Sequence, residues 1–200
     1  MLENATHKPL PKTTISAAGC HLLEAFNPPA VTIDSPAIQV MTDLSQVPVA
    51  TIIATATLDD ANRSMISRGV RLLLVVDDSH QRVAGLLTSV DILGEKPVLA
   101  AQRREVKRQD LRVADVMVPV DKMDAMAIEE VKKARVGHIV ASLKADGRAH
   151  AIVVGQDAQG GQALVGIFSV SQIARQLGVQ IHAHEMARTF AEIEAVIAGV

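Results

Sequence analysis

The chain carries one pattern twice. Ala37-Ile38-Gln39-Val40-Met41-Thr42-Asp43 is echoed by Val113-Ala114-Asp115-Val116-Met117-Val118-Pro119. Val83-Ala84-Gly85-Leu86-Leu87-Thr88-Ser89-Val90-Asp91-Ile92-Leu93 is echoed by Leu164-Val165-Gly166-Ile167-Phe168-Ser169-Val170-Ser171-Gln172-Ile173-Ala174. The second echo lies at a larger offset than the first, so the extra residues are expected in turns. An internal repeat restricts the fold to one supersecondary unit used twice, and a unit of roughly 60 to 70 residues is too short to bury a generous core alone. Two such units are therefore expected to pack against each other.

The elements recur in the same order in each copy. In the first, Ser35-Pro36 reads as an N-cap and first helical residue, opening a short helix through Leu44. Val49 to Ala56 is rich in β-branched residues and reads as a strand. Thr57-Leu58-Asp59-Asp60 has the form of a helix start, and Leu58, Ala61 and Met65 keep one face apolar until Gly69 ends the helix. Leu72 to Val76 is a continuous apolar run of strand length with Asp77-Asp78-Ser79-His80 as its turn, and Val83 to Leu87 returns as a strand into a helix beginning at Thr88. The second copy predicts a strand near Ala125 to Val131, a helix near Gly137 to Ala145 closed by Gly147, strands at Ala149–Val154 and Ala163–Phe168, and a last helix running to Gly178. Its Gly155 to Gln162 stretch, with Gly160-Gly161, makes the longer hairpin loop.

Composition narrows the function classes. With 48% hydrophobic and 21% charged residues the chain is globular, and its apolar runs are far shorter than a membrane span requires. The single cysteine, Cys20, cannot form an intramolecular disulfide, which points to the cytoplasm. Ala17-Ala18-Gly19-Cys20 resembles a lipoprotein cleavage box, but the preceding residues are polar and broken by proline where a signal needs an apolar stretch. A net charge of −2, with no tryptophan, no tyrosine and three phenylalanines, offers neither the field nor the stacking platforms for extended nucleic-acid binding.

Taken together, the Val-Met-Thr opening, a strand ending Val75-Val76-Asp77 and the Gly-apolar-apolar-Thr-x-x-Asp ending at Gly85 to Asp91 resemble the cystathionine-β-synthase (CBS) domain, more weakly in the second copy. The resemblance covers residues 35 to 178, and the pairing implies a Bateman module. It implies an α+β fold: two tandem β-α-β-β-α units packed as a pseudo-twofold pair, plus a C-terminal helix. The expected organisation is a tail at 1–34, units at 35–97 and 110–178, a linker at 98–109 and an amphipathic helix at 179–200. The resemblance also implies a non-catalytic regulatory homodimer that needs no cofactor and binds AMP, ADP, ATP or S-adenosylmethionine in a cleft between units. Carried onto this chain, it implies Asp91 for the ribose and Thr88 for the phosphate, with Thr51, Ile52, Val70 and Arg71 around the base. The matching positions in the second copy are Ser169 and Gln172. A neutral glutamine lacks the charge that makes a carboxylate a strong bidentate acceptor, so one strong site at most is expected.

Other readings stand beside this one. Thr88-x-x-Asp91 and Ser169-x-x-Gln172 both fit a capping box, which explains the spacing with no ligand. The basic residues Arg103, Arg104, Lys107 and Arg108, like Lys132, Lys133 and Arg135, read as solvated faces. His182 and His184 would point to different faces of a helix, and Cys20-His21 has no further ligand nearby, so metal binding is not expected. Gly-x-Ser-x-Gly, phosphate-loop and Gly-x-Gly-x-x-Gly motifs are all missing, and Asp59-Asp60 and Asp77-Asp78 fall at a helix start and a turn, so no active site is read.

Two rival functions remain open. Gln172 to Val179 resembles the first helix and turn of a DNA-binding helix-turn-helix, although the apolar seating positions of the next helix would then fall on His184 and Ala187 and leave His184 buried and unpaired. Val179, Ala183, Met186, Phe190, Ile193 and Ile197 recur at steps of four and three. That spacing fits either a helix-pairing seam of a ligand-free scaffold dimer or a helix lying on its own core.

Overall fold

Leu72–Val76 is apolar throughout because the strand it forms is covered on both faces, and all five residues are buried. The structure is a computed structural model that describes residues 10–20, 30–79, 82–179 and 186–198. In chain order its strands are β1 (Thr42–Asp43), β2 (Thr51–Ile53), β3 (Leu72–Val76), β4 (Val83–Thr88), β5 (Val118–Pro119), β6 (Ala125–Ala127), β7 (His150–Gln156) and β8 (Gln162–Ser169). Its α-helices are α1 (Leu58–Arg68), α2 (Ser89–Leu93), α3 (Lys96–Arg104), α4 (Ile128–Lys133), α5 (Val136–Ala145), α6 (Val170–Gln176) and α7 (Met186–Ala198).

The strands form two four-stranded sheets, in the orders β2-β3-β4-β5 and β1-β8-β7-β6. Their topologies match: β2 and β6 run parallel to β3 and β7, and all other pairs are antiparallel. Even the irregularities coincide. Each hairpin breaks register at one valine pair, Val75/Val76 in the first sheet and Val153/Val154 in the second. The fold is the expected α+β pseudo-twofold pair with a C-terminal helix.

The edge strands are exchanged. β1, from the opening of the first copy, pairs with β8 of the second, with Thr42 opposite Ile167. β5, from the opening of the second, pairs with β4 of the first, with Leu86 opposite Val118. The cores follow this exchange. Val31, Ala37 and Val40 are buried with Val136, Phe168 and Ile173, whereas Leu111, Val113 and Val116 are buried with Leu58, Leu73 and Leu87. Each copy thus supplies part of the other's core, which is how two short units each obtain enough buried apolar surface.

The glycine of each repeated motif permits the exchange. A Cβ on Gly85 would lie 2.5 Å from the Val118 carbonyl oxygen and 3.0 Å from Met117 Sδ, and one on Gly166 would collide with Met41 Sδ. Only a residue without a side chain lets the exchanged strand and its methionine come so close.

Several local elements differ from expectation. The helix expected from Ser35 to Leu44 is a single 3-10 turn, Ala37–Val40, because the chain must straighten at Thr42 to join the distant sheet. The strand expected over Ala125 to Val131 stops at Ala127; Ile128–Lys133 forms α4, whose Val131 is buried in the core. α4 and the longer hairpin hold the extra residues of the second copy. By contrast, α1 is as read: Thr57 and Asp60 close a capping box, Leu58, Ala61 and Met65 are buried, and Gly69 ends the helix at φ 64°. Phe190 and Ile193 of α7 are buried in the second core, so the described part of the apolar seam lies on its own chain. Met186 and Ile197 lie in α7 by backbone, whereas His80, Ala183, His182 and His184 are outside the described residues. No helix among the described residues is long and apolar enough to cross a membrane.

Candidate functional site

Residues of β4 and β7 line a common cleft of about 500 Å³ between the two copies. One wall is the end of the first copy's hairpin: Leu86, Thr88, Ser89, Val90 and Asp91, with Arg71 and Lys96 beside them. The opposite wall comes from the second copy: Val118 of the exchanged strand, Met123 and Asp124, Arg148 just before β7, and His150 and Ile152 within it.

The capping box expected at Thr88 is present and occupies much of Asp91. Asp91 Oδ2 accepts from the Thr88 amide and from the Thr88 hydroxyl, both at 2.7 Å, while the Asp91 amide donates to Thr88 Oγ1 at 3.3 Å. The other carboxylate oxygen, Oδ1, lies 2.5 Å from Lys96 Nζ. Asp91 is one of three buried polar residues among those described. Burying a carboxylate is costly unless it is paired and hydrogen-bonded, and here it is both.

The cleft is lined by three cationic side chains, Arg71, Lys96 and Arg148, against two carboxylates, Asp91 and Asp124. Arg148 Nη2 sits 3.2 Å from Asp124 Oδ2. Arg71 reaches across the pseudo-twofold to donate to Ser171 Oγ of α6. His150 adds no positive charge near neutrality, because burial and the neighbouring Arg71 charge push its imidazole down to about 4. The balance favours an anionic group.

Of the residues singled out in the sequence, Thr88, Asp91 and Arg71 come together in this cleft, and Thr51, Ile52, Val70, Ser169 and Gln172 are not among its lining. Ile52 and Val70 turn instead toward the first core and pack against it. Thr51 is half-buried in β2, opposite Leu74. In the second copy no capping box forms, since Ser169 makes no side-chain cap bond. Gln172 is held locally, donating to Gln176 Oε1 at 3.3 Å and accepting from Arg175 Nη1 at 2.9 Å. Gln176 in turn donates to the Gln39 carbonyl at 3.1 Å, tying α6 to the exchanged segment.

Lys96, Arg148 and His150 line the cleft without being singled out by any sequence motif. His150 did leave a trace: it pairs with Ser169 as Leu72 pairs with Thr88, so a polar ring stands where the first copy has a buried leucine. Nothing local marked Lys96 or Arg148. Among the described residues no group of three or more histidine, cysteine or acidic side chains is placed to hold a metal ion. The linker cations make protein contacts: Arg104 pairs with Asp115 at 2.5 Å and Arg108 donates to the Ile92 carbonyl at 3.0 Å.

Comparison with known proteins agrees with this architecture. Residues 37–97 match the family model of the CBS domain. An uncharacterized conserved protein from Pyrococcus horikoshii has a similar structure, with a TM-score of 0.53 at 17% identity, over 76% of this chain and 99% of that one. CBSX2 in complex with AMP gives a TM-score of 0.50 at 20% identity, over 70% of this chain and 94% of that one. Comparison with curated proteins gives no match. At these identities the likeness to the two structures is one of fold.

Proposed function

We propose that this chain, which carries a CBS domain at residues 37–97 and folds as a tandem CBS pair, is a non-catalytic regulatory module that binds an adenosine-type ligand in the cleft between its halves. The observation that carries the reading is the meeting of a buried acceptor, Asp91, with three cationic side chains in one cleft of about 500 Å³, a volume suited to a small ligand. Asp91 would take the ribose hydroxyls, and the Thr88 side of the cleft would take the phosphate. The AMP held by CBSX2 supports an adenosine compound as the ligand class.

Because the cleft draws a wall from each copy, a bound ligand would favour one arrangement of the halves over another and so transmit its occupancy. The reading includes a homodimer in the cytoplasm. Ile66 on α1 and Val90 and Leu93 on the neighbouring α2 are large apolar side chains exposed to solvent, a surface suited to a second copy. The unpaired Cys20 fits a reducing compartment.

Titration calorimetry with AMP, ADP, ATP and S-adenosylmethionine tests the ligand. At least one is expected to bind in the micromolar range, and Asp91→Asn, which removes the charge and keeps the shape, is expected to weaken it about tenfold. Absence of binding across the panel would refute the reading. Sedimentation of the wild type and of Leu93→Glu tests the dimer, which the substitution is expected to split into monomers; a monomeric wild type would refute it.

A further inference from the structure

Asp91 has little acceptor capacity left for a ligand. A carboxylate offers about four lone-pair sites. Two on Oδ2 receive the Thr88 amide and hydroxyl at 2.7 Å each, and one on Oδ1 faces Lys96 Nζ at 2.5 Å. A vicinal diol donates two hydrogen bonds and needs two free acceptor sites, so it can engage this carboxylate fully only if one of the existing donors leaves. Both Thr88 donors belong to a helix cap: the amide is fixed by the backbone and the hydroxyl is held in the capping box, where it also accepts from the Asp91 amide. The Lys96 side chain is 47% exposed against 9% for Asp91, so the lysine is the donor able to move.

A displaced ammonium needs a new anion. The cations it would move among, Arg71 and Arg148, line the same cleft, and Arg148 already holds Asp124. A neutral nucleoside would strip Lys96 from Asp91 and leave it with water alone, whereas a nucleoside phosphate brings the replacement anion on the same molecule. We propose that Lys96 is the specificity-determining residue of the cleft: it yields Asp91 to a ribose only when the ligand also carries a phosphate for its ammonium. The cleft then selects nucleoside phosphates over nucleosides and over the cationic S-adenosylmethionine. This rests on the nucleotide reading given above.

The test is titration calorimetry of the full chain with AMP, adenosine and S-adenosylmethionine, for the wild type, Lys96→Met and Lys96→Arg, with circular dichroism melts to verify that each variant is folded. The wild type is expected to bind AMP at least about tenfold tighter than adenosine. Lys96→Met is expected to weaken AMP about tenfold and to leave adenosine unchanged or tighter, bringing the ratio close to one. Lys96→Arg, which keeps a cation, is expected to retain most of the preference. An AMP-to-adenosine ratio unchanged by Lys96→Met, or a wild type that binds adenosine or S-adenosylmethionine as tightly as AMP, overturns the role of Lys96 and leaves the nucleotide reading standing. A wild type that binds none of the three overturns the role of Lys96, and one that also fails to bind ADP and ATP overturns the nucleotide reading as well.

Discussion

Thr88–Asp91 and Ser169–Gln172 end equivalent hairpins and enter equivalent helices, yet they do different chemistry. The backbone is the same at both: the Ser89 amide donates to the Arg71 carbonyl at 3.0 Å, and the Val170 amide donates to the Ala149 carbonyl at 2.9 Å. In the first copy a hydroxyl and a carboxylate close a capping box that faces the cleft. In the second the serine caps nothing, and the glutamine is absorbed into contacts with Gln176 and Arg175. Duplication has kept what the backbone requires and let the side-chain chemistry diverge. One half carries the candidate site, and the other lends it a wall.

The largest effect that probes this comparison is in the core. Leu87 and Phe168 occupy matching positions beside Thr88 and Ser169, and both are fully buried. Leu87→Ala is expected to cost about 2–5 kcal/mol and Phe168→Ala about 3–5 kcal/mol in urea unfolding followed by circular dichroism. Because each core contains a segment of the other copy, each variant should shift a single transition. Two separate transitions would show that the halves unfold independently.

A smaller effect concerns His150, which stands where the first copy has Leu72. Its folded value of about 4 lies below the ordinary 6.5, so the unfolded chain binds the extra proton between these values. Stability should therefore be fully present above pH 6.5 and fall as the pH drops toward 4, by at most roughly 3 kcal/mol. In His150→Leu, measured by denaturant unfolding at pH 7 and pH 4.5, that loss should shrink by most of this amount. An unchanged loss would mean that the imbalance between the copies has no electrostatic consequence.

The smallest effect is the cap itself. Thr88→Ala should lower stability by about 1 kcal/mol, because it removes the hydroxyl that accepts from the Asp91 amide. Ser169→Ala should cost almost nothing, since no cap bond is lost. Equal costs would contradict the asymmetry described above.

How much was legible in the sequence varied with the range of the interaction. The capping boxes at Thr57 and Thr88 were readable because both partners lie within three residues of each other, and the buried face of α1 was readable from its spacing. The same spacing at Ser169 suggests a second box, which does not form, because the partner there is a glutamine that finds Gln176 and Arg175 one turn or less away. Ile52 and Val70 are placed beside the base by resemblance alone, and in the structure they pack against the first core: a half-buried apolar residue in or beside a short strand does not reveal which neighbour it will meet. The α7 seam left two outcomes open, and the packing of Phe190 and Ile193 on the second core chose one of them.

Residue order alone determined that this protein is built twice from one unit, in what sequence its helices and strands follow, and where the strongest helix caps lie. Tertiary structure alone decided that the edge strands change places, that Arg71 reaches Ser171 in the other copy, and that Arg148 and His150 share a cleft with Asp91. The physical reason is distance along the chain. Caps and periodic faces are settled by residues within one or two turns, whereas the partners across the cleft depend on how two cores share their apolar surface, which no short stretch of sequence records.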